Sequence, residues 1–287
     1  MMEKTIVILG LPGSGKTTFL AALWHLVMAR DLNTALSFES LRSGDVSHLN
    51  ALADRWRMAK RQGRTPGGSD RLVSMSLLDT AGAPLRLTFP DLSGEYCRRM
   101  WEERDCQTAL ADVLGAGGGI LLFIHADEIV APSWVVDEAD LSRRLGLPVV
   151  EGQEVPWHPR LAPTQVQLVD VLQLLREPPL DRGPRRIAIL LSAWDRAAAE
   201  MLAPAAFMRE KLPLLHQYLE QNADAWMSRV SGLSAQGGEY EDDAEGAPPV
   251  EEAEDLRRMD QPSLRIRLVD GAQETHDLTE PIAWLLG

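Results

Sequence analysis

The stretch Gly10-Leu11-Pro12-Gly13-Ser14-Gly15-Lys16-Thr17 decides how this chain is read. It matches G-x-x-x-x-G-K-[ST], and its flanks give it a structural context. Before it, Lys4-Thr5-Ile6-Val7-Ile8-Leu9 is β-branched and nearly continuous in apolar residues, which predicts a short buried strand. After it, Thr18-Phe19-Leu20-Ala21-Ala22-Leu23-Trp24 has helical composition and spacing. Strand, glycine loop and helix together predict a phosphate-binding loop. The expected phosphate site is Gly10, Pro12, Gly13, Ser14, Gly15, Lys16, Thr17 and Thr18. Glycines let backbone N–H groups turn inward around an anion, and the helix N-terminus favours negative charge. Lys16 adds a point charge there, and the Thr17 hydroxyl suits Mg²⁺.

Outward from this loop, strand and helix signals alternate. Helices are expected over 15–30, 46–61, 95–114, 164–176, 204–222 (interrupted at Pro213) and 278–286. Leu72–Leu78 and Leu85–Phe89 alternate apolar and polar residues around Asp79-Thr80-Ala81-Gly82-Ala83-Pro84, which predicts an antiparallel hairpin. Further strands are expected at 36–39, 120–124, 186–191, 226–233 and 264–269. This order predicts a three-layer α/β/α sandwich with a mainly parallel sheet and one antiparallel hairpin strand. The chain reads as a single domain over 1–287, with an insertion at about 126–162 and an acidic flexible segment at about 236–262.

Composition narrows the class. The 287 residues are 45% hydrophobic and 25% charged, the balance of an ordinary globular protein. Residues 239–260 hold ten acids against Arg257 and Arg258, so −8 of the net charge of −13 sits in that one segment. The acidity argues against nonspecific nucleic-acid binding. No apolar run reaches membrane-spanning length, and no secretory leader is visible. Cys97 and Cys106, nine positions apart on one expected helix, cannot meet in a disulfide. A reducing cytoplasm is the expected setting.

A phosphate loop holding Mg²⁺ needs a second acid at the C-terminal edge of the sheet. Asp79 and Asp91 both begin a D-x-x-G word. Asp79 falls at the hairpin turn, at the far end from that edge, whereas Asp91 ends the second strand and precedes a helix. Asp91 is therefore assigned to the metal, and Gly94 to a backbone contact with the γ-phosphate. Two further words follow predicted strands. In Ser192-Ala193-Trp194-Asp195 the carboxylate accepts from the N1–H and exocyclic amine of guanine, a pattern that adenine lacks. In Ser234-Ala235-Gln236 the Ala235 N–H is placed to donate to the guanine oxygen.

In this order, Gly10–Thr17, Asp91–Gly94, Ser192–Asp195 and Ser234–Gln236 resemble the first, third, fourth and fifth motifs of translation-factor-class (TRAFAC) P-loop GTPases, the class of Ras. Leu92-Ser93-Gly94-Glu95 and Leu278-Thr279-Glu280-Pro281-Ile282 are similar to the bacterial double-GTPase-like proteins. The broad resemblance implies a Mg²⁺-dependent switch that hydrolyses GTP to GDP and answers to a protein effector or activating partner. The narrow one implies work in a multi-gene conflict or regulatory system. Ser192 and Ala193 stand where the family usually has Asn and Lys, so either affinity falls or Trp194 takes over packing on the base. Glu95 stands where a water-positioning glutamine is usual. Thr65 is the expected second-motif threonine, closing over Mg²⁺ and the γ-phosphate, although an ordinary polar loop explains the same residues equally well. Arg64 beside it is a candidate arginine finger in cis. Two other functions fit the loop: an ATPase or small-molecule kinase, and a nucleotide-binding scaffold without turnover.

Overall fold

The first strand, β1 (Lys4–Gly10), is buried from Thr5 onward and alternates its faces between two separate cores. Ile6 and Ile8 point to one core, Val7 and Leu9 to the other. A strand buried on both faces requires a covering layer on each side, and that requirement sets the architecture. A computed structural model describes residues 4–62, 73–90, 94–116, 118–132, 158–243 and 248–287.

All described strands join one sheet in the order β2-β3-β4-β1-β5-β6-β7-β8-β9. Besides β1 they are β2 (Ser37–Ser43), β3 (Val73–Leu78), β4 (Pro84–Phe89), β5 (Ile120–His125), β6 (Arg185–Ser192), β7 (Trp226–Ser234), β8 (Arg267–Asp270) and β9 (Gln273–Thr275). The central strands β4, β1, β5, β6 and β7 are parallel. β3 pairs antiparallel with β4, as the hairpin signal predicts. Antiparallel pairing extends further than the one expected strand: β2 flanks β3, and β8 and β9 close the opposite side.

One face is covered by α1 (Lys16–Ala29), α2 (Val46–Arg57) and, later in the chain, α9 (Glu251–Arg257) and α10 (Glu280–Trp284). The other carries α3 (Glu95–Glu102), α4 (Thr108–Gly115), α5 (Thr164–Leu174), a short turn α6 (Trp194–Ala197), α7 (Pro204–Lys211) and α8 (Pro213–Gln221). The chain is thus a three-layer α/β protein. α2 shows how locally this is encoded: Asp45 caps it by accepting from Ser47 N at 2.8 Å, and Leu49, Leu52, Ala53 and Trp56 form its buried stripe.

Two expectations change. The helix expected over 95–114 is two helices, because Arg104 takes a left-handed φ of 56° and ends the first. Cys97 is therefore buried in α3, while Cys106 lies in the connection. The acidic stretch at 236–262, expected as a flexible excursion, is built into the fold wherever it is described. Tyr240, Ala253 and Leu256 are buried in the first core. Its carboxylates meet a cluster of cations: Asp243 pairs with Arg55 at 2.6 Å and Lys60 at 3.1 Å, and Glu241 with Arg257. Segregated acids become ordered when the fold supplies the opposite charge nearby.

Gly232 in β7 makes room for Trp194: a Cβ there would lie 2.4 Å from the indole ring, which stacks edge-on against Phe207 at 5.3 Å. Gly232→Ala is expected to lower unfolding free energy by about 2 kcal/mol, read by urea denaturation, because the added Cβ would overlap a ring that is already buried.

Candidate functional site

The phosphate loop forms where β1 ends and α1 begins. Gly15 immediately precedes the helix with φ 87°, a left-handed conformation that glycine adopts without penalty, and no side chain caps the helix. A bare helix N-terminus leaves its first N–H groups for an anion. Lys16 is buried and folds back across the loop. Its Nζ donates to Gly10 O at 2.9 Å, Leu11 O at 3.0 Å and Ser14 Oγ at 3.2 Å.

Gly94, the glycine of the second D-x-x-G word, packs directly on this loop. A Cβ on it would stand 2.6 Å from Pro12 N and 2.8 Å from Lys16 Nζ, so only glycine fits at that approach. Its φ of 84° begins α3. From the same helix the Cys97 Sγ accepts a hydrogen bond from Gly10 N at 3.3 Å. Glu95 lies in the first turn of α3 and pairs with Arg98. Asp91, Arg64 and Thr65 lie outside the described residues. Asp79 shapes the hairpin turn instead: its Oδ1 accepts from Ala81 N at 2.9 Å and Ala83 N at 2.8 Å. The register places that turn at the end of β4 that lies beside Lys4, away from the phosphate loop.

The register also explains why distant words meet. Gly10 lies opposite Phe123, His125 opposite Ser192, and Ser192 opposite Leu233. The ends of β1, β5, β6 and β7 therefore form one edge. A cleft of about 440 Å³ opens along it. Gly13, Gly15 and Thr18 line one end, and Ala193, Asp195, Ala235 and Gln236 line the other. Ser192 bridges the two, donating from Oγ to Ser14 O at 2.9 Å and standing against Gly15. Ser234 is buried beneath the cleft, where its Oγ accepts from Gly237 N at 3.1 Å and shapes the turn that carries Ala235 and Gln236.

Trp194, expected against the base, is turned away from it. It is 6% exposed, packs on Gly232 and Phe207, and does not line the cleft. Ala193 has φ 52°, so the chain turns sharply after β6 and sends the next side chain inward, while Asp195 returns to the cleft.

Part of the wall carries no sequence motif. Arg61, Gln62, Glu239 and Tyr240 also line the cleft, although no motif marks them. A buried arginine supports this wall. Arg265 is 2% exposed and donates from Nη1 to Trp56 O at 2.9 Å and from Nη2 to Arg57 O at 3.1 Å. Its guanidinium stacks 4.4 Å from the centre of the Trp56 ring. Trp56 Nε1 in turn donates to Ala235 O at 2.7 Å. Burial pushes the Tyr240 hydroxyl up to about 12, against a smaller opposing pull from Arg265.

Mg²⁺ fits the donors of this loop. It favours a hydroxyl or carboxylate plus substrate phosphates and water over an all-protein cage. Thr17 supplies the hydroxyl at the start of α1, and no group of three or more His, Cys, Asp or Glu able to hold a metal occurs among the described residues.

A glycine loop between a strand and a helix, a second glycine packed on it, and a carboxylate just beyond the parallel strand β6 define a P-loop GTPase-class protein. The chain matches the family model Double-GTPase 1 over residues 7–285 and belongs to that family. Membership implies nucleotide binding. No protein of curated function matches it by sequence. Among solved structures it is similar to the signal recognition particle receptor SRb-GTP/SRX complex from Chaetomium thermophilum, at 14% identity and TM-score 0.40, over 82% of this chain and 92% of that one. The GTP-bound Ski7 GTPase-like domain of S. cerevisiae is matched at 17% identity and TM-score 0.39, over 83% of this chain and 44% of that one. For a bacterial selenocysteine-specific elongation factor the values are 10% and 0.33, and the chain spans 27% of that protein's length. Scores this low add no functional detail. No described helix is long and apolar enough to cross a membrane.

Two measurements check this geometry. Tyr240 has a raised pKa in the folded chain, so its contribution is fully present below about pH 10 and is lost as pH rises from there toward 12. Folding free energy is expected to fall by about 1 kcal/mol between pH 9 and 11, and Tyr240→Phe should flatten that slope in urea titrations. Ser192→Ala should cost about 1 kcal/mol by the same method, since it removes the buried donor to Ser14 O.

Proposed function

We propose that this protein is a Mg²⁺-dependent GTP-binding switch that hydrolyses GTP slowly to GDP and phosphate. The observation that carries this reading is the shared cleft in which the phosphate loop and Asp195 face each other across Ser192. Lys16 and the loop amides hold the β- and γ-phosphates, and Thr17 with Asp91 holds Mg²⁺ directly or through water. When bound there, the ion would neutralise charge developing on the transferred group. Asp195 accepts from the guanine N1–H and amine, and the Ala235 N–H donates to the guanine oxygen.

Gly94 is the proposed sensor of the γ-phosphate. It sits against the loop at the start of α3, so departure of the γ-phosphate would be felt at the head of a whole helix. The hydrogen bond from Gly10 to Cys97 adds a second link between that helix and the loop. Thr65 is proposed to close over the metal and the γ-phosphate, and Arg64 to supply a finger in cis. An effector or activating protein would read this change, and a bacterial conflict or regulatory system is the proposed setting.

A second reading, a nucleotide-binding scaffold without turnover, is favoured by one feature. Glu95 is paired with Arg98, and a carboxylate is a poor donor to a charged phosphate.

Calorimetry with GTP, GDP and ATP tests the base, and single-turnover phosphate release tests hydrolysis. GTP and GDP are expected to bind and ATP to fail, with release on the order of 10⁻³ s⁻¹. Asp195→Asn should weaken GTP binding about a hundredfold and favour xanthosine nucleotides. Unchanged GTP binding would reject the guanine assignment.

A further inference from the structure

We infer that Arg61 is the lid of the nucleotide base: its guanidinium lies flat on the purine of the bound nucleotide and raises affinity without selecting the base. This rests on the proposed guanine-nucleotide site. The wall that carries Arg61 belongs to neither the phosphate loop nor any strand-end motif. Trp56 Nε1 is bonded to Ala235 O at 2.7 Å, which sets the end of α2 beside the base end of the cleft. The chain then runs to Arg61 as a strap paired with the acidic segment. Glu241 N donates to Ala59 O at 2.9 Å, and Arg61 N donates to Glu241 O at 2.8 Å.

These bonds fix the Arg61 backbone, while its side chain stays half exposed at the cleft rim. Its guanidinium meets Glu239, another cleft residue, at 3.2 Å, and Asp242 at 3.8 Å. Exposed pairs of this kind hold a side chain weakly and are readily exchanged. Of the two residues before Asp195, Ala193 is small and Trp194 is buried against Gly232, so neither covers a ring. The other cation lining the described cleft, Arg196, follows Asp195 and pairs with Asp127 at 3.2 Å in the same exposed manner. Of the two half-exposed guanidinium groups on the cleft, Arg61 is the one that the strap carries on the wall beside Ala235. Guanidinium planes stack on aromatic faces, and such stacking tolerates any base because each has a π-face. The buried Gln62 Oε1, which has no partner among the described residues, lies one position further along the same strap.

Calorimetry on the full chain in Mg²⁺ separates this role from a point charge and from a structural one. Arg61→Ala should weaken GDP and xanthosine diphosphate binding by the same factor, about tenfold, and leave inorganic tripolyphosphate binding unchanged. Arg61→Lys keeps the charge but not the plane and should recover less than half of the binding free energy that alanine removes. Lys60→Ala, which cuts the strap's pair with Asp243 outside the cleft, should change GDP affinity less than twofold. The inference is overturned if Arg61→Ala leaves GDP binding intact, if it weakens tripolyphosphate equally, if lysine restores binding fully, or if Lys60→Ala weakens GDP as much. Failure of the unaltered chain to bind guanine nucleotides would instead reject the proposed function itself.

Discussion

Ser192 holds together two sites that the chain encodes 178 residues apart. Its hydroxyl donates to the carbonyl of Ser14 inside the phosphate loop and, at 3.3 Å, to Ile124 O at the end of β5. A loop rich in glycine has little stiffness of its own, because glycine restricts the backbone least. Anchoring it from beneath lets its amides keep one arrangement before any ligand arrives, which is how preorganised sites limit the entropy lost on binding. The same bond fixes the distance from the loop to Asp195, three positions further on. Small changes in strand register would therefore be felt at both ends of the cleft.

The far wall rests on a different kind of constraint. Arg265 is buried with backbone carbonyls and an aromatic face as partners. Burying a charge is costly unless it is fully hydrogen-bonded. Here the charge draws the end of α2, the turn after β7 and Tyr240 around itself, and that cluster positions the strap bearing Arg61. A stacked guanidinium needs its plane held, so lysine at position 265 would not serve the same purpose. The acidic residues of the neighbouring segment find Arg55, Lys60, Arg61 and Arg257 as counterions, which explains how so acidic a stretch becomes part of the wall.

The phosphate end is coupled to α3 through an approach too close for any residue larger than Gly94. Among the described residues, the base end has no comparable link to α3. This asymmetry fits a device in which the base decides what binds and the phosphates decide which state the protein adopts. The departures from the usual motif fall on the base side and at Glu95, whereas the phosphate loop keeps the standard pattern.

By itself the sequence determined the phosphate loop, the alternation of strands and helices, the β3–β4 hairpin and the three-layer α/β class. Each is a local signal: a glycine spacing, an apolar period or a turn word acts over a few residues and needs no distant partner. The place of Asp79 was also legible, since it sits in a turn that strand direction alone carries away from the phosphate loop. Tertiary structure alone decided the rest. Trp194 points inward because Gly232, far along the chain, leaves space for its ring. Residues 239–243 of the acidic stretch pack on the body because cations from α2, the strap after it and α9 meet them. Arg61, Gln62 and Tyr240 reach the cleft through long-range pairing between residues 59–61 and 239–241, and no local pattern foretells which segments will lie side by side.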